Sequence, residues 1–546
     1  MEHYFSKLER AITSNWEKEA LCDYHGESFS FEETATWIER FHLLFAEAGL
    51  RKGEKIALCA KNSARWAIAF LAADTYGCVV VPILSDFRPD NIAQLVRHSE
   101  SRVLFTDIDI FNQLQLEELP DIRAIFRCSD FHPLYADDSV QKAIGQWATL
   151  YAHRHPLGLQ KTDIIYNKDN DKELAVINYT SGTTSQPKGV MLRHECFSAT
   201  IDFAIRNVAC GPEDKLVSML PMGHIYGLAF EFLFPLFHGV TVCFLGKTPS
   251  PSLLLKAMGE IKPFMVCTVP LVMEKIYKAS VKPALDKPLV KFLVKLPWIS
   301  TWIYRKIGLK IQEAFGGKCR HFIMGGAALN PLVEKAYKKM RLPFTVGYGM
   351  TEAAPLLAYA PWESFVPGSC GRAVDCAEVR VDSSDPEHIE GEIQARGTNI
   401  CSGYFKNGEA SAQLFTEDGF MRTGDLGIID AKGNIFIRGR SKNMILSANG
   451  QNIYPEEIEA LINAEDNILE SLVLDREGKL TALVCVDFAA LRQAGIGEDA
   501  TADWSGKLRQ RINHQLPSYS QLSAIELRDE PFEKTPKMSI RRFLYK

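Results

Sequence analysis

Thirteen cysteines are spread along the chain, yet no two of them form a Cys-x-x-Cys pair. The spacing offers neither a zinc site nor a disulfide frame, and cysteines scattered in this way read as reduced core residues of a cytosolic protein. Uninterrupted apolar runs of about eighteen residues, the length of a membrane-spanning helix, are missing too. The nearest approach, residues 226–245, is broken by Glu231, Pro235, His238 and Gly239, and reads as a buried helix, a turn and a strand. The first ten residues lack the apolar core of a signal peptide. Basic residues are not in excess: the net charge is −5, which gives a nucleic-acid partner no global electrostatic support. Internal repeats and low-complexity tracts are also lacking.

The length, 546 residues, is enough for about three or four compact units. Residues 30–110 alternate helical and strand patterns. Helical spacing over 31–48 ends at Gly49, an apolar run covers 55–59, an alanine-rich helix 64–76, and strands and a helix follow to 106. Such alternation predicts a parallel sheet with helices on both faces. The pattern resumes after Gly189 and continues to about residue 346. From about 366 to 440 short strands and glycine turns suggest a small β-rich subdomain. The remainder, 441–546, reads as mixed α+β.

Residues 179–189 read Tyr-Thr-Ser-Gly-Thr-Thr-Ser-Gln-Pro-Lys-Gly, with apolar runs at 174–177 and 190–192 on either side. Strand, polar loop, strand is the expected structure. The hydroxyls of Thr180, Ser181, Thr183 and Thr184, the backbone around Gly182 and the Lys188 ammonium suit a polyphosphate. A polar surface hairpin would have a similar composition. This is not a Walker A loop, because the lysine precedes the second glycine and no helical pattern follows directly.

Four further segments carry chemistry. Residues 221–227, Pro-Met-Gly-His-Ile-Tyr-Gly, place His224 among glycines at a strand end, where it is either a packed core residue or a hydrogen-bond partner for a carboxylate. Residues 321–328, His-Phe-Ile-Met-Gly-Gly-Ala-Ala, run from a strand into a turn where glycine permits close approach of a flat base. In 346–352, Val-Gly-Tyr-Gly-Met-Thr-Glu, Tyr348 offers a ring face, Thr351 a hydroxyl and Glu352 a hard oxygen ligand. In 422–427, Arg-Thr-Gly-Asp-Leu-Gly, Asp425 could accept paired hydroxyls or merely cap a turn.

Taken in this order, the segments resemble the adenylate-forming superfamily, which includes acyl-CoA synthetases, peptide-synthetase adenylation domains and beetle luciferases. The resemblance runs from about residue 25 to the end of the chain. Residues 365–371 (Phe-Val-Pro-Gly-Ser-Cys-Gly), 403–407 (Gly-Tyr-Phe-Lys-Asn) and a terminal Thr-Pro are most similar to long-chain fatty acid–CoA ligases. The resemblance implies ATP, Mg²⁺ and coenzyme A as substrates and cofactor, and a medium- or long-chain fatty acid as the acid. It implies that Thr180 to Thr184 and Lys188 hold phosphates and that Thr184 and Glu352 hold Mg²⁺. Gly326, Ala327, Ala328, Tyr348 and Gly349 would border adenine, Thr351 the α-phosphate, and Asp425 and Arg440 the ribose. His224 would separate the acid pocket from the nucleotide. Lys442 would be a hinge, and the loop around Gly450 would line a pantetheine channel. The implied fold is α/β. Its large N-terminal domain, 1–440, has two doubly wound α/β subdomains to about 365 and a small β-barrel-like subdomain over about 366–440. A smaller mobile α+β domain, 441–546, follows.

One departure stands out. Residues 534–542 read Lys-Thr-Pro-Lys-Met-Ser-Ile-Arg-Arg, so Ser539 occupies the place of the family's catalytic lysine. Lys537 substitutes for it, or Arg541 reaches in, or adenylation is impaired. With Lys537 as the substitute, Lys537→Ala is expected to lower acid-dependent ATP–pyrophosphate exchange at least about tenfold, and Arg541→Ala to do less. Two other functions fit the motifs: an acyl-AMP ligase that loads a carrier protein, and a catalytically impaired lipid- or nucleotide-binding relative. Finally, residues 281–310 hold seven basic residues against the single acid Asp286, interleaved with Phe292, Trp298, Trp302 and Tyr304. This is either a solvated helical face over the core or a peripheral contact with an anionic membrane, on its inner, cytoplasmic side.

Overall fold

The computed structural model describes residues 2–168, 170–180, 188–246, 250–446, 451–476, 478–493, 495–497, 500–534 and 540–545. The apolar runs and helical stripes build a mixed α/β fold. Its largest sheet has seven strands, in the spatial order Pro133–Ala136, Ala124–Arg127, Ser101–Thr106, Lys55–Cys59, Val79–Pro82, Leu174–Thr180 and Lys188–Arg193. The inner strands are parallel, and the strand at each edge is antiparallel to its neighbour.

Local sequence explains the helices that cover this sheet. Phe31–Glu47 starts with a reciprocal capping box between Ser30 and Glu33. Ala64–Tyr76 starts on the Ser63 hydroxyl and stops at Gly77, whose φ of 92° suits glycine. The chain passes from Lys55–Cys59 to Val79–Pro82 on one side, then returns to Ser101–Thr106 on the other. Strand order therefore reverses at Lys55–Cys59, which opens a crevice at the carboxyl ends.

A second α/β unit contains Lys215–Ser218, Thr241–Phe244 and Glu19–Asp23, mutually parallel, with Ser28–Ser30 at the edge. Met265–Thr268, His321–Met324 and Phe344–Val346 form a parallel sheet beside it. The two are joined where the Phe264 N–H donates to the Lys215 carbonyl at 3.0 Å. The apolar segment after His224 is buried and helical, as expected. It widens into a π-helical turn over Leu228–Leu233 before Phe234–Phe237 and the strand Thr241–Phe244.

The strands Ala377–Asp382, Gly391–Gly397, Met421–Ile429 and Ile435–Arg440 form an antiparallel sheet in sequence order. The implied barrel is not closed among the described residues, because the first and last of these strands do not pair. The segment leading into the sheet is committed elsewhere. Arg372–Ala373 pairs with Leu356–Tyr359, which pairs with Tyr348–Gly349, and the segment meets the start of the far strand through the Arg372–Asn434 bridge and the backbone hydrogen bonds of Cys370 and Gly371 with Ile435.

Beyond Arg440, the strands Ile468–Arg476, Lys479–Val486 and Ala524–Arg528 pack with Pro455–Asn463 and Thr501–Asn513. Among the described residues their core, including Ile458, Ile462, Val473, Ala482 and Leu508, draws on none before 445. All thirteen cysteines are free thiols and most are buried. Among the described residues no helix is long and apolar enough to cross a membrane.

Candidate active site

Most of the singled-out segments sit at the carboxyl ends of parallel strands. His224 lies shortly after Lys215–Ser218, the Gly-Gly turn follows His321–Met324, and Tyr348 follows Phe344–Val346. Asn62, just after Lys55–Cys59, clasps the first of these turns. Its amide donates to the Leu220 carbonyl at 2.6 Å and accepts from the Met222 N–H at 2.9 Å. Asn178, in the strand that leads to the hydroxyl-rich loop, donates to the Gly223 carbonyl at 3.0 Å. Tyr226 closes the group: its hydroxyl donates to the Ile323 carbonyl at 3.0 Å, and its ring faces Gly325, where a Cβ would lie 3.4 Å from it.

The expected hairpin is present. Leu174–Thr180 pairs antiparallel with Lys188–Arg193, with Thr180 opposite Lys188. Ser181, Gly182, Thr183 and Thr184 lie outside the described residues. Gly189 leaves no room for a side chain, since a Cβ would lie 2.8 Å from Ile177 and 3.0 Å from the Tyr179 ring. Its carbonyl accepts from the Phe405 N–H at 2.7 Å, so residues 402–405 run beside the outgoing strand. That register delivers Tyr404 to the root of the loop. The Lys188 ammonium sits 4.8 Å from the centre of the Tyr404 ring. The Tyr404 hydroxyl donates to Glu352 Oε1 at 2.9 Å. Lys188, Tyr404 and Glu352 thus form one line from the loop to a buried carboxylate. The other oxygen of that carboxylate has no partner among the described residues.

No cluster of three His, Cys, Asp or Glu side chains suited to a metal exists among the described residues. A single carboxylate with one uncommitted oxygen still fits Mg²⁺, which commonly binds through one or two carboxylates together with substrate phosphates.

A second group forms around Asp425. Asp425 and Arg440 are directly opposed across antiparallel strands, and Arg440 Nε lies 3.2 Å from Asp425 Oδ1. The Tyr348 hydroxyl donates to Oδ2 at 2.8 Å. Burial raises the Asp425 pKa, against the opposing pull of the Arg440 guanidinium and the Tyr348 hydroxyl. Thr351 and Glu352 are buried in the following 3₁₀ turn. Gly349 is fixed by packing: a Cβ there would stand 1.8 Å from the Pro355 carbonyl oxygen. Gly326, with φ of 85°, Ala327 and Ala328 are exposed in the turn after His321–Met324.

His224 is half-buried and caps the short helix Ile225–Gly227, its Nδ1 accepting from the Tyr226 N–H at 3.4 Å. The turn before it is held by a residue without a family motif, Glu231. Glu231 is fully buried and accepts from the N–H groups of Met219 and Leu220 at 2.8 and 2.7 Å. Burial pushes its pKa up to about 8. An acid inside an otherwise apolar run was the available signal. For Tyr404 the sequence signal is membership of the family-like segment 403–407, and Asn62 carries no local signal at all.

Lys442 is exposed in the turn after Arg440. That turn is tied down where the Ser441 N–H and hydroxyl both donate to the Gly424 carbonyl, at 3.0 and 3.1 Å. Gly450 lies outside the described residues, between the paired strands Ile445–Leu446 and Asn452–Ile453. Lys537 and Ser539 also lie outside them, beyond the bridge between Lys534 and Ile540. Arg541 pairs with Glu533 of the same hairpin at 2.9 Å.

The singled-out segments thus assemble two polar groups, Glu352 with Tyr404 beside Lys188, and Asp425 between Tyr348 and Arg440. The AMP-binding enzyme family matches residues 8–405, and the chain belongs to that family. It is 27% identical over 485 residues to long-chain-fatty-acid–CoA ligase FadD15 of Mycobacterium bovis, covering 83% of this chain and 76% of that protein. It is 27% identical over 468 residues to long-chain-fatty-acid–CoA ligase 4 of Saccharomyces cerevisiae, covering 78% and 67%. Among solved structures, ATP-bound MatB from Rhodopseudomonas palustris superposes with a TM-score of 0.77 at 23% identity, over 100% of this chain and 98% of that one. A benzoate CoA ligase from Burkholderia xenovorans gives 0.77 at 19% identity, over the whole of both chains. These superpositions establish the shared fold.

Proposed function

We propose that the protein activates a carboxylic acid, a medium- or long-chain fatty acid, through an acyl-adenylate to an acyl-CoA thioester, releasing AMP and pyrophosphate. The observation that carries this reading is the line Lys188–Tyr404–Glu352. It joins the base of the hydroxyl-rich loop to a carboxylate oriented by a buried hydrogen bond. The fatty-acid part of the reading draws on the relatives' substrates and on the buried apolar segment 225–237.

The chemistry follows from electrophilicity. A carboxylate resists nucleophiles because its charge is delocalised and oxide is a poor leaving group. Its attack on the α-phosphorus of ATP forms a P–O bond, breaks the bond to pyrophosphate and leaves a mixed anhydride whose leaving group is AMP. The hydroxyls of Thr180, Ser181, Thr183 and Thr184 and the Lys188 ammonium would hold the phosphates, with Thr351 at the α-phosphate. Glu352 and Thr184 would hold Mg²⁺, which supplies charge neutralisation for departing pyrophosphate. Tyr348, Gly349 and the 326–328 turn would border adenine, and Asp425 with Arg440 would take the ribose. His224 would stand between nucleotide and acid. A thiolate then attacks the anhydride carbonyl, the C–O bond to AMP breaks, and the thioester forms.

The domain division at 440/441 belongs to this reading, with Lys442 as the hinge, Lys537 acting in the first half-reaction and the Gly450 loop in the second. The separate core beyond residue 445 supports it. Contacts that such a rotation must break include the Lys278 ammonium on the Asn463 carbonyl at 2.8 Å, the Lys282–Asp466 pair and the Asn330 amide on the Ala460 carbonyl at 3.3 Å.

The test is pyrophosphate release with ATP and a panel of acids, with and without CoA. Palmitate-dependent release with CoA-dependent thioester formation is the expected result. Release that ignores CoA would favour carrier-protein loading. No release with any acid would favour an impaired relative, and an aryl or amino acid preference would overturn the fatty-acid assignment.

A further inference from the structure

The helix Pro297–Ala314 shows two opposed faces. Its inner face is tightly seated: Gly308 and Ile311 are buried, and a Cβ at Gly308 would meet the Met340 carbonyl oxygen at 2.5 Å. Its outer face presents Trp298, Trp302, Arg305 and Leu309, which fall on one side at helical spacing. Trp298 is 91% exposed and Trp302 59%. The preceding short helix, Pro288–Leu293, adds Phe292 at 65% and Leu289 at 70%. Single exposed apolar residues are ordinary, but with Leu296 there are five large ones between residues 289 and 302, and these need an explanation.

The charge around them is one-sided. Residues 281–310 hold seven basic side chains and one acid. Lys282 is paired with Asp466. Lys287, Lys291, Lys295, Arg305, Lys306 and Lys310 are exposed and make no ion pair among the described residues. Within this group the Lys306 ammonium lies 4.0 Å from the centre of the Trp302 ring. Local carboxylates therefore do not satisfy these cations, as they do on a solvated helix laced with salt bridges.

We infer that this face, from Lys287 to Lys310, docks the protein on the surface of an anionic phospholipid bilayer. Charge complementarity selects the partner: uncompensated ammonium groups face the headgroup phosphates. Indole and phenyl rings enter the boundary between headgroups and acyl chains, where an amphipathic ring is best solvated. The helices lie in the plane of the surface, since none described could span the membrane. Docking requires no nucleotide or acid, so it stands apart from the ligase reading.

The 546-residue protein is sedimented with vesicles of phosphatidylcholine alone and of phosphatidylcholine mixed equally with phosphatidylglycerol. Binding to the mixed vesicles only, weakened by salt, is expected. Each basic residue contributes about fivefold to partitioning, so Lys291→Glu, Lys295→Glu and Lys306→Glu together should reduce it by about 10²-fold or more. Trp298→Ser with Trp302→Ser should reduce it about tenfold or more. Thermal midpoints within a few degrees of wild type establish that the variants fold, and two independent variants guard against failure of one. Equal binding to both vesicle types, no binding, or undiminished binding in the folded variants would overturn the assignment. A wild-type dimer that both variants dissociate, without vesicle binding, would overturn it in favour of a second copy of the chain.

Discussion

Glu352→Gln should lower acid-dependent ATP–pyrophosphate exchange by about 10²–10³-fold, the usual cost of removing one preorganised electrostatic group from a transition state. The substitution keeps shape and burial. Glutamine can still accept from the Tyr404 hydroxyl, now 2.9 Å from Oε1, and the Glu352 carbonyl keeps the Cys401 N–H at 2.8 Å. What disappears is the negative charge that would meet Mg²⁺. Half-saturation should therefore move to a higher Mg²⁺ concentration, a shift that a merely structural role would not produce. Tyr404→Phe isolates the positioning component. It leaves the charge but removes the hydrogen bond, worth about 1.5–3 kcal/mol when one partner is charged, so a loss of about tenfold to a hundredfold is expected with a smaller Mg²⁺ shift. Exchange within threefold of wild type and an unmoved Mg²⁺ curve for Glu352→Gln would remove Glu352 from the reaction.

Much of this architecture could be read from local sequence because local forces fix it. The strand Lys55–Cys59 and the helix Ala64–Tyr76 fall where apolar period, the Ser63 cap and Gly77 place them. The hairpin around the hydroxyl-rich loop follows from two short apolar runs and a polar turn. The open β-rich sheet was not legible, since whether its edges close depends on pairing between Arg372–Ala373 and Leu356–Tyr359, a choice between distant partners. The same holds for side chains. Tyr404 reaches Glu352 across 52 residues and Asn62 reaches the 220–222 turn across 158 and 160. Neither pairing leaves a mark within one window of sequence. Glu231 was visible as an acid in an apolar run, but the backbone donors that accommodate it belong to the turn before His224. The outward face of Pro297–Ala314 lay between those cases. Its composition was plain, and only the seating of Gly308 against Met340 decides which side faces out.

Asp425→Asn separates function from stability with opposite signs. The carboxylate is buried, and desolvation raises its pKa despite Arg440 and Tyr348. In the apoprotein the ionised form is therefore less favourable in the folded than in the unfolded chain. For a group raised in this way, the unfolded state loses its proton first as pH rises, so stability falls between the unfolded and folded pKa values. Below about pH 3.9, the ordinary value for an unfolded aspartate, wild type and variant should unfold alike. The variant should become the more stable protein as pH climbs through the raised pKa, and keep that margin at neutral pH. Arg440 is not stranded by the change, because its side chain is 60% exposed and can turn to water. Activity should move the other way. In the proposed role Asp425 would accept from the ribose hydroxyls, and loss of a charged acceptor costs about 1.5–3 kcal/mol per hydrogen bond. A fall of about 10²-fold in kcat/KM for ATP, carried mainly by KM, is expected. Thermal melts across pH and exchange kinetics at neutral pH read the two effects separately. A variant with a lowered melting temperature at neutral pH and an unchanged KM for ATP would mean that Asp425 serves the fold through Tyr348 and Arg440, and that the ribose is held elsewhere.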